Sequence, residues 1–148
     1  VNPSNPQNQL VGVFNLEIAR IYNYMLQKSG KKYSIIHSLD GYDEISLTGN
    51  FKKFSNTNEV LLSPEQIGFP KHNQEAIFGG NTIKESATIF TNVLENKSSS
   101  QHKNVVLANA SQAINCMEPY KSLKDCLALA EESLNSGKAL ASLTQVLN

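Results

Sequence analysis

The segment YSIIHSLDGYDEISLTG (residues 33–49) places a mostly apolar run directly before a cluster of three carboxylates. Asp40, Asp43 and Glu44 lie close to Gly41 in this cluster. A solvated acidic turn is one interpretation, and a metal site is the other. Oxygen ligands suit Mg²⁺, which proteins usually hold through one or two carboxylates together with substrate phosphates. Adjacent strand side chains point to opposite faces, so Asp43 and Glu44 reach one ion only if the backbone turns, which Gly41 permits.

The residues before this segment predict a strand–helix–strand unit. LVGVF (10–14) is a short apolar run typical of a buried strand. Asn15 can cap a helix over residues 16–29, which Gly30 can end. Because a second strand (33–39) follows within about 30 residues, the two strands are expected to be parallel. Ligands collect at the carboxyl ends of such strands, where the acidic cluster lies, and this position favours the metal site.

The residues after the cluster predict further strands. Residues 45–49 and 50–63 are expected to form strands joined by turns at Gly49-Asn50 and Asn56-Thr57-Asn58. Because these strands follow one another closely, we expect them to be antiparallel, so that the sheet is mixed. Residues 63–70 predict one short helical turn.

The last part of the chain predicts helices. One is expected over residues 79–97, with Asn81 or Thr82 as its cap, and residues 98–103 are expected to be a loop. Residues 104–117 form a second helix, or a strand that leads into one. Residues 122–147 predict helix, capped by Ser122 and either divided or interrupted at Gly137. We therefore expect a single α/β domain over residues 1–148, with a mixed, partly parallel sheet flanked by helices.

Composition argues against several classes of function. The chain has 148 residues, with 13 basic and 13 acidic side chains and a formal net charge of zero. This balance argues against a dedicated nucleic-acid binder and against a polybasic membrane anchor. No apolar run approaches the roughly 20 residues of a membrane span. Cys116 and Cys126 are expected to be free thiols in a reducing cytosol, although a bridge between them stays open.

The other chemistry-bearing residues give no second site. His37 lies inside a predicted strand and is expected to be a hydrogen-bonded structural residue, whereas His72 and His102 are expected to be solvated. No His/Cys pair has zinc spacing, and no nucleophile elbow is found. Gly79-Gly80 lacks the Gly-Lys-Ser/Thr of a phosphate loop and is better interpreted as a pair of residues that leads into a helix. The inventory is therefore one candidate magnesium site without a nucleophile.

The order of these landmarks resembles the C-terminal part of anthranilate phosphoribosyltransferase, from Asn2 to about Leu143. The most specific piece is DGYDEIS (residues 40–46). The resemblance implies a Mg²⁺-dependent enzyme of tryptophan biosynthesis, in which the amine of anthranilate displaces pyrophosphate from phosphoribosyl pyrophosphate (PRPP). The other matching pieces are NPSNPQNQLVGVFN, LSPEQIGF, GGNTIKESA, VLANASQAI and SGKALASL.

The resemblance also implies roles for particular residues. Asp43 and Glu44 correspond to the acidic pair of the family, which holds a magnesium ion that bridges to the pyrophosphate. Pro3 and Ser4 lie in a segment that resembles the lining of the anthranilate channel, and they are expected to contact that substrate. Asn109 matches an asparagine of the family and is expected to be structural.

Several family features precede the part that this chain resembles. They are a glycine-rich pyrophosphate loop, a Lys-His-Gly-Asn segment, an arginine that meets anthranilate, and a small helical domain through which the family dimerises. Where the family usually has Glu-Asn-Ala, this chain has Glu85-Ser86-Ala87, which affects a helix contact and not the chemistry. The chain is therefore expected to be a fragment that is inactive alone, and the full-length protein is expected to be a cytoplasmic homodimer.

Two other functions remain open on the sequence. A fragment of a nucleoside phosphorylase would share the fold but would use phosphate, which gives less reason for the Asp43–Glu44 pair. A non-catalytic relative that binds nucleic acid requires a basic face, which the zero net charge of this chain does not indicate.

Overall fold

The computed structural model describes residues 4–147, which contain a four-stranded sheet with the strands in chain order. β1 and β2 are parallel, whereas the β2–β3 and β3–β4 pairs are antiparallel. The predicted mixed, partly parallel sheet is therefore confirmed. The strands are β1 (Asn8–Gly12), β2 (Lys32–Ser38), β3 (Phe51–Ser55) and β4 (Glu59–Leu62).

The helices flank this sheet, and side chains cap several of them as the sequence predicts. Asn15, Thr82 and Ser122 each accept a hydrogen bond from the backbone N–H three residues further on. Short 3₁₀ turns cover Glu65–Ile67 and Gln74–Ile77. In the described residues the α-helices are α1 (Leu16–Gln27), α2 (Ile83–Leu94), α3 (Ser100–Met117), α4 (Leu123–Asn135) and α5 (Lys138–Leu147).

The third helix differs from its prediction. Residues 98–103 were expected to be a loop, but α3 begins at Ser100 because the Ser99 side chain caps it by accepting from the His102 N–H. Residues 104–117 are helical throughout, so the alternative of a strand that leads into a helix is wrong. Gly137, with φ of +80°, divides α4 from α5.

Residues 45–49 do not form the expected strand. Leu47 adopts a φ of +62°, which is incompatible with an extended strand. The backbone bonds of this segment go to other partners, because the Leu47 carbonyl accepts from the His72 N–H at 2.8 Å. The hydroxyls of Ser46 and Thr48 bond to Asp40. The segment is therefore an ordered, buried connection between β2 and β3.

Apolar cores cover both faces of the sheet. On one face, Tyr33, Ile35 and Phe54 pack with residues of α1, such as the fully buried Ala19. On the other face, Ile36 and Phe51 pack with residues of α3 and α4. Because both faces of the sheet are covered, every residue of β2 after Lys32 is buried. This explains why apolar and polar residues do not alternate along the strand.

Two further observations concern the cysteines and the apolar character of the helices. Cys116 and Cys126 are buried free thiols, as predicted. Among residues 4–147, no helix combines the length and apolar character needed to cross a membrane.

Candidate metal site

The acidic turn (residues 39–44) begins where β2 ends. The backbone N–H of Ser38 donates to the Tyr42 carbonyl at 3.0 Å, and the Gly41 N–H donates to the Ser38 carbonyl at 3.0 Å. Gly41 has φ of +95°, a conformation that side-chain-bearing residues rarely adopt. The turn that the Asp43–Glu44 pair requires is therefore present, and it lies at the carboxyl end of a parallel strand as predicted.

Two side chains fix the far end of the acidic turn. The Ser38 hydroxyl donates to the Glu44 carbonyl at 2.5 Å. From α3, the Asn109 side chain accepts from the Ile45 N–H at 3.0 Å and donates to the Ile45 carbonyl at 2.9 Å. Because Ile45 is fully buried, these bonds satisfy backbone groups that water cannot reach. The expected structural role of Asn109 is thus a clamp on the residue next to the acidic pair.

The Asp40 side chain holds the acidic turn against the residues that follow it. Its carboxylate accepts hydrogen bonds from the hydroxyls of Ser46, at 3.2 Å, and Thr48. Of the three carboxylates in residues 40–44, Asp40 thus has hydroxyl partners nearby, and Asp43 and Glu44 are the candidates for a metal.

Asp43 and Glu44 are both solvent-exposed. Partial desolvation beside the neighbouring groove raises the pKa of Glu44, and the adjacent Asp43 carboxylate raises it further. A divalent cation would relieve this repulsion between like charges.

The donor set fits Mg²⁺. Among residues 4–147, no group of three or more His, Cys, Asp or Glu side chains is placed to hold a metal ion. Two carboxylates on a fixed turn would leave most of an octahedral shell to water and substrate phosphates, which is the usual arrangement for Mg²⁺. The pair, and not a complete protein cage, is therefore the candidate site.

A groove of about 980 Å³ lies beside the acidic turn. Tyr42 and Glu44 form part of its wall, whereas Asp43 is not among its lining residues. The remaining wall is mostly apolar, and Phe78 and Phe90 in it are more than half exposed. The groove can therefore accept the flat or apolar part of a ligand next to the Glu44 carboxylate.

The Glu85-Ser86-Ala87 departure lies at the start of α2, beside the groove. The Ser86 hydroxyl donates to the Gly79 carbonyl at 2.7 Å, and the Glu85 carboxylate accepts from the Asn81 N–H at 2.6 Å. Serine at this position thus joins the first turn of α2 to the loop before it.

Other predicted residues have mixed outcomes. His37 is buried, and its Nδ1 lies 2.9 Å from the Val13 carbonyl oxygen, as expected of a structural histidine. The prediction that His72 and His102 are solvated is wrong, because both are half-buried and hydrogen-bonded. Pro3 lies outside the described residues. Ser4 is exposed, and its contact with anthranilate stays a prediction.

Sequence reasoning missed a buried lysine behind the sheet. Lys53 is 8% exposed, and its Nζ donates to Gln112 Oε1 at 2.8 Å and Asn115 Oδ1 at 2.9 Å. Burial lowers the pKa of Lys53. Its position two residues after the buried Phe51 was the available signal, because alternate residues of a strand share a face.

Known proteins resemble the chain over almost its whole length. Residues 1–140 match the family model described as "Glycosyl transferase family, a/b domain". Anthranilate phosphoribosyltransferase of Bacteroides thetaiotaomicron is 46% identical over 147 residues, which are 99% of this chain and 44% of that protein. The Flavobacterium psychrophilum enzyme of the same name is 50% identical over 149 residues, with the same coverage. The chain thus spans less than half the length of these curated relatives.

Solved structures show the same fold. The anthranilate phosphoribosyltransferase of Thermus thermophilus has a TM-score of 0.85 at 26% identity, covering 97% of this chain and 43% of that one. The Saccharomyces cerevisiae enzyme in complex with PRPP and Mg has a TM-score of 0.82 at 22% identity, covering 93% and 40%. At this identity the second comparison supports the fold alone.

Proposed function

Because the chain belongs to the glycosyl transferase family, whose α/β domain it matches, we propose that it is the C-terminal part of an anthranilate phosphoribosyltransferase. The complete enzyme would transfer the phosphoribosyl group of PRPP to the amine of anthranilate, with release of pyrophosphate. Relatives of that name, 46–50% identical over nearly the whole chain, support this choice over a nucleoside phosphorylase. We further propose a cytoplasmic homodimer that binds neither nucleic acid nor membrane.

The observation that carries the proposal is the clamped acidic turn beside a groove. Asp43 and Glu44 would supply the carboxylate ligands of one Mg²⁺. When bound, the ion would offset the negative charge on the leaving pyrophosphate as the ribosyl carbon develops positive charge. Asn109 and Ser38 would hold the backbone of the turn, so that no reorganisation is needed when the substrate arrives.

We also propose contacts with the second substrate, anthranilate. The aromatic amine is assigned from the relatives named anthranilate phosphoribosyltransferase, which are 46–50% identical to this chain. Pro3 and Ser4 would contact anthranilate, as the resemblance implies. In this arrangement the chain supplies the metal ligands and part of the aromatic site, and the rest of the enzyme supplies the other contacts.

The test is the Mg²⁺ dependence of anthranilate consumption by the complete gene product, followed through anthranilate fluorescence. Asp43→Asn/Glu44→Gln should lower kcat/KM about 100-fold or more, because charge stabilisation in the transition state is lost. The matched control is Glu131→Gln/Glu132→Gln, which neutralises an adjacent exposed pair on α4. That control should behave as the wild type.

Two outcomes would contradict the proposal. If the Asp43/Glu44 variant keeps the wild-type rate and Mg²⁺ requirement, the acidic turn is not the metal site. If the wild-type gene product does not consume anthranilate, the substrate assignment fails, and phosphorolysis of nucleosides or binding to nucleic acid becomes the next hypothesis to test.

A further inference from the structure

Gly12 is the last residue of β1, and it lies directly against the acidic turn. A β-carbon at position 12 would lie 1.6 Å from the carbonyl oxygen of Asp43 and 2.8 Å from its carbonyl carbon. Both atoms belong to the backbone, so no change of rotamer would relieve the overlap. Gly12 is not among the described glycines with positive φ, so close approach, and not backbone conformation, is what requires glycine there.

Neither side of this contact is free to move. Gly12 pairs with Ile36 in the parallel ladder, and the next N–H along the chain, that of Val13, donates to the Ile36 carbonyl at 2.9 Å. On the other side, Ser38 bonds the Glu44 carbonyl and Asn109 clamps Ile45. A side chain at position 12 must therefore displace Asp43 or the end of β1.

We propose that Gly12 is a positioning residue for the magnesium site. Because Gly12 has no side chain, the Asp43 carbonyl can pack directly against the end of β1. This contact sets the direction in which the Asp43 and Glu44 carboxylates point. The inference rests on the proposed function, because it assigns a second residue to the same site. Gly12 itself would touch neither the ion nor a substrate.

The test is the Mg²⁺ dependence of the complete gene product that carries Gly12→Ala. Changes in the groups that orient metal ligands typically weaken metal affinity on the order of 10- to 100-fold, and we expect a rise of that size in the half-saturating Mg²⁺ concentration. The KM for anthranilate, measured at saturating Mg²⁺, should change much less. Direct titration with Mn²⁺, followed by electron paramagnetic resonance, should show the same loss without relying on turnover.

A control variant separates positioning from general destabilisation. Val11→Ala shortens a side chain on the same strand, where Val11 packs against the core on the α1 face of the sheet. It should lower the melting temperature while leaving the Mg²⁺ requirement unchanged. If Gly12→Ala also lowers only the melting temperature, Gly12 supports the fold and the proposal is overturned.

A double-mutant cycle covers the case in which Gly12→Ala folds poorly. Asn109→Ala releases the clamp and lets the turn move away from β1, so adding Gly12→Ala should weaken Mn²⁺ binding little further. Additive losses would show that Gly12 does not act through the turn. Failure of both Gly12 variants to fold would show that Gly12 supports the fold, and the proposal would be overturned. If Asp43→Asn/Glu44→Gln leaves Mg²⁺ dependence unchanged, the proposed function fails; if that pair matters and Gly12→Ala does not, only this inference fails.

Discussion

The three carboxylates of the acidic turn differ because of their neighbours. The Asp40 carboxylate accepts hydrogen bonds from the hydroxyls of Ser46 and Thr48, which lie further along the chain. These bonds hold the connection between β2 and β3 in place. The backbone carbonyl of Glu44 accepts a hydrogen bond from the Ser38 hydroxyl, while Glu44 also lines the groove. In the sequence the three acids look equivalent. The hydroxyl partners seen in the structure give Asp40 a structural role and leave Asp43 and Glu44 as the candidate ligands.

Lys53 shows how burial acts on a single charge. Its ammonium group bonds to two neutral amide oxygens, of Gln112 and Asn115. Loss of water around it lowers its pKa, and this effect exceeds the opposite effect of the nearby Cys116 and Cys126. The folded state therefore holds this proton less tightly than the unfolded chain does.

This difference predicts how stability depends on pH. Because the folded pKa lies below the ordinary value of 10.5, the unfolded chain binds more protons between the two values. The free energy of unfolding should therefore rise, through this group, as pH increases across that interval, and the penalty should be constant below it. Urea unfolding of the wild type and Lys53→Met at pH 7 and pH 10 measures the effect.

The wild type should gain stability relative to Lys53→Met as the pH is raised. Burial raises the pKa of Tyr33, which acts in the opposite direction, but Tyr33 is present in both proteins and its effect cancels. The same measurement on Cys116→Ser/Cys126→Ser versions of both proteins removes the contribution of the two nearby thiols. An unchanged difference between pH 7 and pH 10 would show that Lys53 keeps its ordinary proton affinity.

At the scale of elements, α3 is the partner that locates the acidic turn. It packs against the sheet and carries Asn109 on the side that faces Ile45. A helix that contacts the core over several turns is a rigid support, so the clamp transfers that rigidity to the candidate ligands Asp43 and Glu44.

Asn109→Ala should lower the stability of the fold and weaken Mg²⁺ binding at the candidate site. It would leave the buried N–H and carbonyl of Ile45 without their partners, which costs about 1–3 kcal/mol of unfolding free energy. The half-saturating Mg²⁺ concentration of the complete gene product should rise as well. Urea unfolding and Mg²⁺-dependent anthranilate consumption measure the two effects.

Asn104→Ala is the matched control, since Asn104 lies on the same helix and contacts His72, away from the acidic turn. It should leave the Mg²⁺ requirement unchanged. If Asn109→Ala lowers stability without changing that requirement, α3 supports the fold alone.

The elements that the sequence predicts best are those marked by residues close together along the chain. The strand–helix–strand unit was predicted because Asn15, Gly30 and two apolar runs mark its limits within a short stretch. The false strand at 45–49 and the missed burial of Lys53 have the same cause. Their partners, His72, Asn109 and Gln112, lie far along the chain, and no local pattern shows which backbone or amine group they will bond.

On the scale of the whole molecule, the distribution of charge is the feature that bears on function. The net charge is zero, and the residues described as lining the groove include no lysine or arginine. A pyrophosphate leaving group carries several negative charges, and one Mg²⁺ held by two carboxylates offsets few of them. Efficient transfer by the proposed enzyme would therefore require cationic groups from elsewhere in it.

Residues 1–148 expressed alone should therefore bind PRPP weakly and give no detectable anthranilate consumption with Mg²⁺, whereas the complete gene product should be active. Calorimetric titration with PRPP and Mg²⁺, together with anthranilate fluorescence, measures both quantities on the two proteins. Far-UV circular dichroism with cooperative thermal unfolding shows whether the isolated chain is folded, so that inactivity can be attributed to missing groups. Turnover by the isolated, folded chain would contradict the charge argument, because it would mean that two carboxylates, one metal ion and a groove without lysine or arginine suffice for the transfer.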